Sequence, residues 1–189
     1  MLIRRETPQD VDAISAVTTA AFCRRPDAPE PLETALVSRL RADVGWLPAL
    51  SLVAVTDNAV IGHVVCTRGF VDDTPALGLG PISVLPDRQG GGVGHALMHS
   101  ARRGGRERGA ACRAARRPAF YQRFGFVAAS KLGIAAPDPA WGNQFQARAE
   151  FGPTRPHGHL SLRLAVRRAL SVRQPTAGPE TDRYSNCRI

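Results

Sequence analysis

The sequence is poor in several things that would sort it quickly. No apolar run approaches the roughly 20 residues that a bilayer-spanning helix needs. The opening residues, MLIRRETPQD, put charges where a secretory signal would carry its apolar stretch. A cytoplasmic chain with no membrane partner is expected. The four cysteines (Cys23, Cys66, Cys112 and Cys187) are scattered and form no CxxC pair, which argues against a zinc site or a disulfide framework. His95 and His99 stand four apart, but the glutamate of an HExxH zinc motif is missing between them, so no metal is expected. Lysine is nearly absent: Lys131 is alone among 25 basic residues, and the rest are arginines. Aromatic residues make up only 6%, and no series of them interleaves the arginine-rich stretches as a stacking surface for nucleic acid would require.

What is present fits one globular domain. The 189 residues are one domain's worth, and 43% of them are apolar, enough for a single buried core and too many for a disordered chain. The formal charge of +9 is local. Segment 102–117 carries +6 and segment 155–189 carries +5, which leaves the rest of the chain at −2. A uniformly basic protein that coats itself in nucleic acid is thereby excluded. Two separate basic segments remain to be explained.

The order of elements is legible. Residues 2–5 are short and extended. Thr7-Pro8-Gln9-Asp10 reads as a helix start, with Thr as cap and Pro in the first turn. Val11, Ile14, Val17, Thr18, Ala21 and Phe22 follow at helical spacing, and the proline-rich 26–31 ends that helix. A second helix runs from Leu32 to about 43. Residues 52–55 and 60–67 then alternate as strands around Asp57-Asn58, a hairpin by its turn chemistry. Residues 77–85 read as a further strand interrupted by Gly78, Gly80 and Pro81, which mark a bulge or a place where a ligand approaches the backbone. A glycine-rich turn and a helix over about 92–108 complete the pattern, which indicates an α+β or mixed-sheet α/β domain.

The most informative stretch is Gln89-Gly90-Gly91-Gly92-Val93-Gly94 between that strand and that helix. Glycines at a helix N-terminus let backbone N–H groups curl toward an anion. No Gly-Lys-Ser/Thr is present, so this is not a P-loop, and GxGxxG fits only loosely. Downstream stands Pro118-Ala119-Phe120-Tyr121-Gln122-Arg123-Phe124-Gly125-Phe126. Together Gln89-x-x-Gly92-x-Gly94 and Phe120-Tyr121-x-Arg123-Phe124-Gly125-Phe126 resemble the paired motifs of the GNAT superfamily of N-acetyltransferases, in its predicted-acetyltransferase branch. The resemblance covers about residues 1–152, the expected domain, with 153–189 expected as an atypical, poorly ordered tail.

That resemblance implies a mixed, mostly antiparallel sheet flanked by helices, split between two parallel strands to hold acetyl-CoA as co-substrate. It implies that Ile82, Ser83 and Val84 offer backbone groups to the pantetheine arm, their side chains being ordinary core, and that one amide there polarises the thioester carbonyl. Backbone amides of Gln89, Gly90, Gly91, Gly92, Val93 and Gly94 would wrap the pyrophosphate. Tyr121 matches the tyrosine that gives a proton to the leaving thiolate. A tyrosine near pKa 10 holds its proton at neutral pH, and a thiol near 8.5 can take it. The bland reading of Tyr121 is packing with Phe120, Phe124 and Phe126. The acceptor is expected to be an amine of a small molecule or peptide. Glu33, His63, Asp72 and Asp73 lie in segments that could line its side, and a water relay could replace any single base. The loops expected to choose the acceptor are about 24–31, 70–75 and 137–156, with Trp141 either packed under a turn or at the mouth. Arg102, Arg103, Arg106 and Arg108 would lie near the phosphates. Oligomeric state is not readable.

One segment departs from the family. Before Tyr121 the family has a strand of valines and leucines closed by Gly-Asp-Pro. Here the chain reads Ala111-Cys112-Arg113-Ala114-Ala115-Arg116-Arg117-Pro118, a poor buried strand. Moved forward one base, codons for 112–117 can spell Val-Val-Leu-Leu-Gly-Asp. Moved the same way, 157–170 can spell the family's closing strand. Two frame disruptions, one compensated at about 111–117 and one uncompensated after about 150, would account for +3 of the first basic segment (Arg113, Arg116 and Arg117) and for the +5 of the second, leaving Arg102, Arg103, Arg106 and Arg108 in place. Two alternatives to an active enzyme follow, a degenerate protein that binds CoA without turnover and a basic nucleic-acid-binding protein.

Overall fold

A computed structural model describes residues 1–23, 25, 28–105, 110–114, 118–148 and 158–161. Strand β1 (Leu2–Arg5) leads into a turn built by one carboxylate. Asp10 accepts from the Thr7 N–H at 2.7 Å and from the Thr7 hydroxyl at 2.8 Å, while Arg4 donates to both of its oxygens at 2.6 and 2.8 Å. The Arg4 guanidinium, with Thr7 assisting, outweighs burial and holds the Asp10 carboxyl well below the usual carboxylate range. This fixes the start of α1 (Val11–Phe22), which buries Ile14, Val17, Thr18 and Ala21, as their spacing predicts. Helix α2 (Leu32–Arg41) buries Thr34, Val37 and Leu40.

Three long strands follow as a meander: β2 (Trp46–Thr56), β3 (Ala59–Val71) and β4 (Thr74–Val84). Asp57 and Asn58 both take left-handed φ, 52° and 60°, as a two-residue turn matched to strand twist demands. The strands are longer than their alternation suggests. Trp46 and Pro48 already belong to β2, and the stretch 70–75, expected as a loop, is the tip of a second hairpin with Val71 opposite Thr74. Asp72 supplies the turn there with a φ of 49°.

Helix α3 (Val93–Gly105) crosses back to β5 (Ala110–Ala114), and α4 (Pro118–Gln122) carries the chain to β6 (Val127–Ala128), β7 (Ile134–Ala135), β8 (Phe145–Arg148) and β9 (Gly158–Ser161). The sheet order is β1-β2-β3-β4-β5-β8-β6, antiparallel except where β4 meets β5, and β9 pairs with the far end of β3 and runs parallel to β7. The mixed, mostly antiparallel sheet implied by the motifs is the one observed.

Three buried clusters form among the described residues, and alternation along the strands separates two of them. Val53 and Val65 pack with Ile14, Val37 and Leu40 from α1 and α2. Their neighbours Leu52, Ala54 and Val64 pack on the other face with Val93, Leu97 and Met98 from α3 and with Tyr121 from α4. Among the described residues no helix is long and apolar enough to cross a membrane.

Segment 111–117 behaves differently from its composition. The backbone at 110–114 is a strand, registered against β4 on one side and β8 on the other. Hydrogen bonding along a ladder is a property of the main chain, and two waiting edges can impose it on a sequence of low strand preference. Residues 115–117 lie outside the described residues. So does nearly all of the expected tail, including Leu162, Leu164 and Val166; of 153–189, only β9 is described.

Candidate active site

Strand β4 is bent by its own sequence. Val64 faces Ile82 while Cys66 faces Leu79, so Gly80 and Pro81 together oppose the single residue Val65. This is the bulge that a glycine and a proline inside a strand foreshadow. Gly80 is required by space: a Cβ there would stand 2.7 Å from Val65 Cγ1 and 3.2 Å from the Val65 carbonyl oxygen. Beyond the bulge Ile82 and Val84 are each 1% exposed, their side chains in the α3-side core as expected. Ser83 points the other way, its hydroxyl 3.2 Å from Thr18 Oγ1 in α1.

The neighbouring strand leaves β4 at the bulge. β4 and β5 are registered only over 76–78 and 110–112. From there β4 keeps β3 as partner up to Val84, and β5 keeps β8 up to Ala114. Among the described residues no strand pairs with the β5-facing edge of 82–84. Parallel strands that share three positions and then follow different partners open a wedge, with the main chain of Ile82, Ser83 and Val84 along one side.

The wedge ends at the glycine turn. Gln89 contributes its side chain as well as its amide: Nε2 donates to the Val84 carbonyl at 3.0 Å and ties the turn to the end of β4. The QxxGxG spacing marks Gln89 without revealing this bond. Gly90 and Gly92 take φ of 78° and 84°, left-handed values that suit glycine, and a Cβ at either would meet nothing within 4 Å. The first intrahelical bond runs from the Ala96 N–H to the Gly92 carbonyl at 3.0 Å, so the amides of Val93, Gly94 and His95 have no carbonyl within the helix to satisfy them. Gly91 is exposed between the two left-handed glycines. A chain of main-chain donors with the positive end of the α3 dipole behind it fits a diphosphate.

Tyr121 lies in the five-residue α4, 1% exposed. Its ring is edge-on to Phe120 at 5.0 Å and to Phe126 at 5.9 Å, so the aromatic packing considered for it is real. The tight turn after it is closed by bonds from the Phe124 and Phe126 amides to the Tyr121 carbonyl, at 2.9 and 3.3 Å. Arg148 donates to the Phe124 carbonyl from β8.

The four candidates for the acceptor side are not brought together. Asp72 and Asp73 are at the exposed tip of the β3–β4 hairpin, and Glu33 is in the first turn of α2. His63 is fully buried in β3 within a cluster that the sequence did not reveal. Its Nε2 lies 3.0 Å from Ser51 Oγ and 3.3 Å from Glu6 Oε2, Ser51 donates to Glu6, and Arg41 Nε donates to Glu6 at 2.8 Å. Burial alone would raise the Glu6 carboxyl, but bonds from His63, Arg41 and Ser51 outweigh it and hold the group at about 2. Burial pushes the His63 imidazole down, Glu6 only partly restores it, and Nδ1 has no hydrogen-bond partner. Trp141 packs 5.8 Å from Phe145 under a short turn capped by Asp138, whose carboxylate accepts from the Ala140 N–H at 2.9 Å. Arg102 and Arg103 are in the last turn of α3, and Arg106 and Arg108 lie outside the described residues.

Comparison with known proteins agrees with this fold. Residues 48–128, from the start of β2 to β6, match the family model for the acetyltransferase (GNAT) domain. The uncharacterized N-acetyltransferase YjhQ of Escherichia coli is 35% identical over 95 residues, 48% of this chain and 49% of that one, so the chain spans about half the length of that curated relative. A GNAT family acetyltransferase from Brucella melitensis, solved in complex with acetyl-CoA, is 35% identical with a TM-score of 0.63, covering 87% of this chain and 97% of that one. The GNAT family N-acetyltransferase YhbS of Escherichia coli, solved in complex with CoA, is 28% identical with a TM-score of 0.74, covering 84% and 87%.

Proposed function

The chain belongs to the GNAT superfamily of N-acetyltransferases, and on that premise we propose that it moves the acetyl group of acetyl-CoA onto an amine of a small molecule or peptide by direct attack on the thioester. The observation that carries this reading is the wedge: a bulged β4 that parts from a parallel β5 and runs into a turn of left-handed glycines. Two relatives of similar fold hold CoA or acetyl-CoA.

The ligand would supply an activated acyl carbon joined to a good leaving group. The main chain of Ile82, Ser83 and Val84 would bind the pantetheine arm as a strand binds a strand, and an N–H beside the bulge would stabilise charge developing on the acyl oxygen. The amides from Gln89 to Gly94 would hold the diphosphate. As the amine nitrogen bonds to the acyl carbon and the carbon–sulfur bond breaks, the phenolic proton of Tyr121 would pass to the departing sulfur, and the proton that the amine loses would leave through water and return to the phenolate. A tyrosine of ordinary pKa near 10 carries such a proton at neutral pH.

The test is thermal stabilisation by acetyl-CoA followed by thiol release with a panel of amines. Tyr121→Phe should lower turnover by about 100-fold, the usual weight of a general acid, while leaving acetyl-CoA binding intact. Equal turnover in the variant removes the acid role.

A second reading is favoured by the sequence at β5, where Arg113 and three alanines stand in place of branched apolar residues. In that reading the chain holds acetyl-CoA but turns nothing over, and segments 111–117 and 150–189 record a shifted reading frame. Resequencing codons 108–120 and 148–172 decides it, since an unaltered reading frame sinks the frame account. Binding to DNA with a steep salt dependence, and no stabilisation by acetyl-CoA, would favour the nucleic-acid alternative instead.

A further inference from the structure

His95 is the third residue of α3, beside the glycine turn, and its ring leaves that helix toward α4. It lies 5.6 Å from Phe120 at an interplanar angle of 83° and 4.9 Å from Phe124 at 48°. Phe120 and Phe124 touch each other at 5.2 Å, and Phe120 meets Tyr121 edge-on at 5.0 Å. His99, one turn further along α3, reaches only Phe124, at 5.5 Å. The backbone of His95 therefore belongs to the anion-binding turn while its ring contacts both phenylalanines flanking Tyr121 in α4 and its turn.

We infer that His95 is a positioning residue for Tyr121, bracing α4 against the first turn of α3 so that the phenol is held at a fixed distance from the wedge. The inference rests on the reading of Tyr121 as proton donor. The physics is that of a short helix with little hold of its own. Five residues make about one and a half turns, and an isolated helix of that length does not persist in water, so side-chain contacts must set its position. Edge-to-face ring pairs such as His95–Phe120 fix an angle as well as a distance. An aliphatic side chain in the place of His95 would fill volume but would not define the tilt of Phe120. A proton donor displaced by about 1 Å loses a large part of its effect.

Tyr121 and Tyr184 are the two tyrosines. In a Tyr184→Phe background, 3-fluorotyrosine gives one fluorine resonance that reports Tyr121 directly. His95→Ala should shift it, His95→Phe should return it near its original position, and His99→Ala should move it less. An unmoved resonance in His95→Ala overturns the inference whether or not the chain acetylates anything. If His95→Ala does not fold, His95→Leu, which keeps bulk without a flat ring, takes its place. In turnover, His95→Ala should lower kcat about tenfold with acetyl-CoA affinity within about twofold, and His95→Phe should recover most of the loss. The His95→Ala effect on kcat should vanish when Tyr121 is already Phe, because two residues acting through one proton are not additive. A full tenfold loss in that background overturns the inference. If Tyr121→Phe itself costs nothing in turnover, it is the proton-donor reading that fails, and the fluorine result still decides where His95 acts.

Discussion

The two walls of the wedge are built in opposite ways. β4 is determined by its side chains: Leu77 and Leu79 face one core, Gly80 sits where a Cβ would crowd Val65, Ile82 and Val84 return to the core, and Gln89 closes the end. β5 is a strand because of its neighbours, with three residues registered to β4 and four to β8. The same secondary structure therefore has two origins, local fit in one case and main-chain pairing in the other. A strand of the second kind keeps its place in the sheet whatever side chains it carries.

The contrast can be broken most forcefully from the β4 side. Gly80→Val should cost about 2–3 kcal/mol through overpacking against Val65, seen as a melting temperature lower by roughly 5–10 °C, and acetyl-CoA should no longer stabilise the protein. A Gly80→Val protein that melts unchanged would mean that the bulge is not set by that contact. The opposite change belongs to β5. Replacing Cys112→Val, Arg113→Val, Ala114→Leu, Ala115→Leu, Arg116→Gly and Arg117→Asp together should raise the melting temperature, since branched apolar residues suit a strand better than alanine and arginine, and should tighten acetyl-CoA binding in calorimetry. A loss in both would show that the present residues suit their places.

Acid should act first on the buried cluster around His63. Burial lowers the His63 pKa, with Glu6, Arg41 and Ser51 as the groups facing it in the cluster. A base with a lowered folded pKa contributes stability that is complete above its unfolded value near 6.5 and is lost as pH falls through the folded one. Glu6, held at about 2 against an ordinary 4.5, adds a second loss as pH falls below that ordinary value. The melting temperature should therefore decline already between about pH 6.5 and 5, a slope that His63→Asn should flatten. A flat profile in the unsubstituted protein would count against a lowered His63 pKa. The smallest effect is expected at Gln89→Ala, about 1 kcal/mol for one lost bond to the Val84 carbonyl, measured as a weaker acetyl-CoA stabilisation with little change in the melting temperature of the free protein.

The same division explains what was legible in the sequence. Helices α1 and α2 announced themselves by the spacing of Ile14, Val17, Val37 and Leu40, the first hairpin by Asp57-Asn58, and the bulge by Gly80-Pro81. Each is a case where a residue's own chemistry dictates local structure. The strand at β5 and the fragment β9 were not legible, because pairing is decided by distant partners that leave no mark on the strand itself. The Glu6–Ser51–His63–Arg41 cluster was hidden for a related reason: its members are spread over β1's end, β2, β3 and α2, and no spacing connects them. At the site, the glycine spacing identified the turn but not the Gln89 bond, and Phe120-Tyr121 identified α4 but not the histidine that braces it.

The glycines of the turn carry one further consequence. Gly90 and Gly92 have open space where a side chain would begin, so bulk is not what reserves these positions for glycine; the sign of φ is. The turn is therefore selective for handedness rather than size. A mirror-image alanine introduced at either position by chemical ligation would lie in its own favoured region and preserve the curl of amides, whereas the natural L-alanine would work against it. At this end of the wedge, chirality is a sharper probe than volume.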